Sequence, residues 1–126
     1  NFNAAIAISL KRYKIVGPDF SSSILKLFEY IAHYKLGNYD YLLYSIDSWV
    51  KTIQSKRKQF PAEKVMIKFF RKVCNITNNE DKKNLIKDTI IQLKELEKSN
   101  MKFFIKHYFD FTVWFERELE EMNNNY

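Results

Sequence analysis

Apolar residues recur at intervals of three and four along most of this chain, and turn-forming residues cut the pattern into segments. Ile6, Leu10 and Tyr13, with Ala5 and Ala7 beside them, share one face of residues 3–16, which predicts a helix stopped by Gly17-Pro18. Asp19 and Ser21-Ser22-Ser23 then offer caps for a helix whose apolar face is Ile24, Leu27, Phe28, Ile31, Ala32 and Leu36. The stretch Leu36-Gly37-Asn38-Tyr39-Asp40 reads as a sharp corner between two helices. Gly37 can enter the left-handed region without a Cβ clash, and Asp40 can cap the helix that follows.

That helix, from Asp40 to about Arg57, turns Leu42, Leu43, Ile46, Trp49, Val50 and Ile53 inward and ends in Lys56, Arg57 and Lys58, where the helix dipole favours positive charge. Pro61 suits a first helical turn, and Ala62, Val65, Met66, Phe69, Phe70, Val73 and Cys74 form the next buried face. Thr77 and Glu80 have capping-box spacing before a helix that buries Leu85, Ile86, Ile90, Leu93 and Leu96 and runs to about Lys98. Residues 101–122 predict a last helix, apolar around nearly its whole circumference as far as Phe115 and acidic from Glu116 to Glu121. A helix apolar on all sides is buried by neighbours or covered by a partner.

The pattern repeats. Moving Ile24, Leu27, Phe28, Ile31, Ala32 and Leu36 forward by 38 residues lands on Ala62, Val65, Met66, Phe69, Phe70 and Cys74, and a further 39 lands on Met101, Phe104, Ile105, Tyr108, Phe109 and Val113. All six positions stay apolar, and a second helix fills each interval. The corner Gly37-Asn38-Tyr39-Asp40, preceded by His33-Tyr34, resembles the turn of a tetratricopeptide repeat. Tyr34-x-Leu36-Gly37-x-Tyr39-Asp40 and Tyr108-Phe109-Asp110-Phe111, with Trp114 four residues after Asp110, also resemble C-terminal parts of uncharacterised bacterial proteins built from degenerate repeats of this kind. The resemblance implies an all-α fold, antiparallel hairpins in a short right-handed stack, and no activity.

The expected organisation is a single domain of about six helices: a half-hairpin over 1–17, hairpins over 19–58 and 61–98, and an aromatic capping helix over 100–122. The chain does not begin with Met, so it is expected to be the C-terminal part of a longer one.

The 126 residues, 46% hydrophobic and 17% aromatic with two Gly and two Pro, can fill one helical core and leave little material for the turns of a many-stranded sheet. The net charge of +6 sets 17 Lys and 4 Arg against 15 acidic residues, a Lys bias that accompanies abundant Asn, Ile, Phe and Tyr and so reflects an AT-rich coding sequence rather than selection for phosphate binding. Its distribution says more. Residues 1–75 hold 13 basic against 5 acidic side chains and residues 76–126 hold 8 against 10, giving +8 and −2. Such asymmetry can orient a partner or a second copy.

Catalytic chemistry finds few ingredients. His33 and His107 lie on different predicted helices and do not align in the repeat, and His107 with Asp110 is the only neat metal-ligand spacing. Cys74, the single cysteine, sits on an apolar face where its thiolate is disfavoured, and it permits no intramolecular disulfide. Two glycines cannot build a phosphate loop. No catalytic residue, cofactor or metal is therefore assigned, and neither a signal peptide nor an apolar run near 20 residues is present.

Binding surfaces are easier to find. Lys64, Lys68, Arg71 and Lys72 share one side of their helix, and in the repeat register they align with Lys26, Tyr30, His33 and Tyr34. In a stack of the resembled kind both stripes would face one concave groove, suited to an acidic peptide. Single-stranded nucleic acid ranks below it for want of Arg and of a recognition motif, and membrane binding ranks below both. The first-ranked interface, however, is hydrophobic: either residues 3–16 dock onto residues expected upstream, or the aromatic helix caps the stack and leaves a face, with Phe103, Phe104, Phe111, Trp114 and Phe115, for another chain. The sequence thus predicts a cytoplasmic, non-catalytic module for protein interaction or self-assembly.

Overall fold

The computed structural model of the chain describes residues 20–99, 106 and 109–124. Among them are five α-helices and no strand: α1 (Phe20–Leu36), α2 (Tyr39–Gln54), α3 (Pro61–Val73), α4 (Asn79–Glu97) and α5 (Phe111–Asn124). The helix expected over 3–16 lies outside the described residues, as do Phe103, Phe104 and His107.

The corner after α1 forms as the sequence predicts. Gly37 has φ 77°, its N–H donates to the Tyr34 carbonyl at 3.1 Å, and the Asn38 N–H donates to the His33 carbonyl at 3.0 Å. Those two bonds close the helix in a Schellman arrangement. The cap of α2 differs from expectation. Helix α2 begins at Tyr39, so Asp40 lies inside its first turn, and the preceding Asn38 makes no side-chain cap bond because its amide lies 3.1 Å from His33 Nδ1. Leu36 is 43% exposed and leaves the expected buried face, since the chain turns away from the core immediately after it.

Two further helix starts move. Asn78 rather than Thr77 caps α4, because its amide both accepts from the Asp81 N–H and donates to the Asp81 carboxylate, each at 2.8 Å. The predicted helix over 101–122 breaks before Phe111. Asp110 Oδ1 accepts the Val113 N–H at 3.0 Å, taking an amide that an unbroken helix would give to the carbonyl four residues back.

Each helix packs on the next, and α1 also packs on α3. Aromatic rings join the helices. Tyr34 of α1 lies 5.9 Å from Phe69 of α3 and 5.9 Å from Trp114 of α5, and Phe69 meets Phe115 of α5 edge-to-face at 4.7 Å. A polar clasp ties α1 to the start of α3. Glu63, fully buried, accepts from both terminal nitrogens of Arg57 at 3.0 and 3.1 Å, from the Phe60 N–H at 3.0 Å and from the Ser23 hydroxyl. The bond from Phe60 satisfies an otherwise orphaned amide at the head of α3.

Candidate interaction groove

Helices α2 and α3 leave between them a cavity of about 290 Å³. Val50 and Gln54 of α2, Gln59 of the connection, and Lys64, Ile67, Lys68, Arg71 and Lys72 of α3 line it. The helical repeat places them there: Lys64, Lys68 and Lys72 recur every four residues and rise about 6 Å per step along one exposed face. Val50 and Ile67, both buried, give an apolar floor. None of the three lysines has an ion-pair partner among the described residues. Arg71 does: its Nη2 donates to Asp47 Oδ1 on α2 at 2.9 Å.

The structure thus gathers the expected cations Lys64, Lys68, Arg71 and Lys72 into one groove, but not the stripe expected to share it. Tyr30 is 0% exposed, its hydroxyl donating to the Ser45 carbonyl at 3.3 Å, while Tyr34 sits in the aromatic core and His33 is buried. Neighbouring helices close over α1 at these positions, whereas the equivalent positions of α3 face outward. Lys26 instead borders a second cavity, of about 230 Å³, with Tyr41, Tyr44, Ser45, Ser48, Trp49 and Thr52. Sequence reasoning missed Val50, Gln54, Gln59 and Ile67 as lining residues and Asp47 as the partner of Arg71. Only the phase of α2 relative to α3 brings them in, and a single-helix pattern carries no such information.

The hydrophobic interface changes as well. Phe111 and Phe115 are fully buried in the chain's own core and Trp114 is half-buried against Tyr34 and Phe70, so these rings are consumed internally. The break at Asp110 lets α5 turn them inward.

His33 sits in a small polar nest. Its Nε2 and Glu29 Oε1 are 3.9 Å apart, and neither has a hydrogen-bond partner among the described residues. Lys26 Nζ lies 3.2 Å from Glu29 Oε2, and the Tyr41 ring packs 4.4 Å from the imidazole. Burial, the largest influence, pulls the His33 pKa below its ordinary 6.5. Glu29 opposes that shift and Lys26 adds to it. The unfolded chain therefore takes up a proton at His33 before the folded one does. The associated stability is complete above the unfolded pKa and is lost as the pH falls through the lowered folded value. Urea titrations between neutral pH and about pH 5 are expected to show a larger loss for the wild type than for His33→Phe. Equal losses would remove His33 as the acid-sensitive group.

No group of three or more His, Cys, Asp or Glu able to hold a metal occurs among the described residues, and no described helix is long and apolar enough to cross a membrane. Burial, then the nearby Asp40, raises the Cys74 thiol pKa, which keeps it protonated at neutral pH. Comparison with protein-family models, with curated proteins and with solved structures finds no match for the chain.

Proposed function

We propose that this chain is a non-catalytic protein-interaction module of degenerate tetratricopeptide type, and that it takes an acidic segment of a partner protein into the groove between α2 and α3. The observation that carries the reading is the row Lys64, Lys68, Lys72: exposed, evenly spaced, set beside an apolar floor, and without a carboxylate partner among the described residues. Buried acids elsewhere in the fold are matched internally, Glu63 by Arg57 and Glu118 by Lys35 at 2.6 Å. Consecutive hairpin packing, with α1 beside α3, supports the repeat-stack reading, and a single half-buried thiol suits a reducing cytoplasm. Single-stranded nucleic acid is the second reading. It is disfavoured because the described lining of the groove contains no aromatic ring, and base stacking supplies much of the affinity in such sites.

Photo-crosslinking tests the proposal. Benzoylphenylalanine at Gln54, on the groove, is expected to yield adducts with a second protein in the native cell, and the same probe at Glu95 on α4 is expected to yield none. Charge reversal at Lys64, Lys68 and Lys72 should remove the adducts while helicity stays intact. Nuclease-sensitive adducts would favour the nucleic-acid reading, and adducts between two copies of the chain would assign the groove to self-assembly.

A further inference from the structure

We infer that Asp47 occupies, in the free protein, the place a partner carboxylate takes on Arg71, so that binding proceeds by displacement of an internal competitor. The inference rests on the interaction-module reading and adds a specificity-determining residue and its control. The lysines of the groove are compact point charges that attract any anion, whereas a guanidinium presents a planar fork that matches a carboxylate. Arg71 is thus the one group among the described lining residues with geometric preference for a carboxylate.

It already holds one. Asp47 comes from α2 and Arg71 from α3, so the 2.9 Å contact bridges the two helices that flank the groove. The pair is 44% and 65% exposed at its two ends, a setting in which ion pairs are weak and exchange readily. The contrast with Arg57 is instructive. That guanidinium binds a buried Glu63 through two nitrogens and is committed to the fold, while Arg71 holds an exposed acid through Nη2 alone. An incoming acidic segment, drawn in by Lys64, Lys68 and Lys72, offers Arg71 a replacement carboxylate with no net loss of an ion pair. Asp47 then returns to water, where it was already mostly exposed.

The test is a double-mutant cycle on the intact chain, read by fluorescence anisotropy at low ionic strength. The probe is a labelled synthetic peptide with Glu at every fourth position. Its Gln counterpart and an oligothymidylate of equal charge serve as controls. Asp47→Asn is expected to bind the Glu peptide about threefold to tenfold more tightly and Arg71→Gln more weakly, with circular dichroism unchanged in both. In the Arg71→Gln background the gain from Asp47→Asn should disappear. The same gain in that background would show a general effect of removing negative charge and would overturn the inference, as would an unchanged or weakened Asp47→Asn protein. Equal binding of the Gln peptide, or tighter binding of oligothymidylate, would overturn it too. If no variant binds the Glu peptide while Gln54 still crosslinks to a protein, displacement at Arg71 falls and the interaction module stands. If the crosslinks fail as well, both fall.

Discussion

Arg57→Ala is expected to lose about 3–5 kcal/mol of stability, among the largest effects open to a single substitution at a charged residue of this protein. Glu63 is fully buried, and without the guanidinium its carboxylate keeps only the Ser23 hydroxyl and the Phe60 amide. Desolvation of that charge then stands uncompensated. The guanidinium also lies over the Phe60 ring at 4.1 Å and donates to the Lys58 carbonyl at 2.9 Å, so the connection between α2 and α3 loosens with it. Urea unfolding with an unchanged slope should report the loss. The double variant Arg57→Met, Glu63→Met should recover part of it, because both charges leave together. A cost below about 1 kcal/mol, the range of a surface bridge, would mean that the Arg57–Glu63 pair does not hold the α2–α3 connection to α3.

Phe69→Ala is expected to cost about 3–5 kcal/mol by cavity formation. Its ring lies 5.9 Å from Tyr34, 5.2 Å from Phe70 and 4.7 Å from Phe115, contacts that reach α1, its own helix and α5. Collapse cannot fill the void from one side, since three helices define it. Phe69→Leu should cost less, and Ile91→Ala, at a residue 66% exposed, should stay within about 0.5 kcal/mol of wild type. A Phe69→Ala protein as stable as Ile91→Ala would show that α5 does not dock on this cluster.

Much of this architecture was legible from side-chain spacing, and its failures have local causes. The apolar faces of α2 and α3 came out of the three-four rhythm, and Gly37 announced the Schellman corner because a left-handed residue there favours the absence of Cβ. Caps were harder. Asn38 gives up its cap for His33, while Asn78 and Asp110 each hold a backbone amide and a side-chain partner together, differences of about 1 kcal/mol that sequence spacing does not resolve. The break at Asp110 then reversed the reading of Phe111 and Phe115 from an outward interface to core. The groove was half legible: the periodicity of α3 placed its four cations on one side, while burial of Tyr30 and Tyr34 depended on which helices close over α1. Glu63 was invisible as a core residue because an acid in a first helical turn ordinarily faces water and the helix dipole alone explains it.

The inward turning of carboxylates has a consequence at a distance. Glu63 and Glu118 face a cation within the fold, so each pair looks from outside like a short dipole whose influence dies away quickly. Lys64, Lys68 and Lys72 have no such counterweight among the described residues, and their field extends a Debye length, about 10 Å at ordinary salt, into solution. On the proposed reading, an acidic partner therefore meets this positive face before it touches the groove, and attraction at a distance adds to the rate of encounter before any surface is buried.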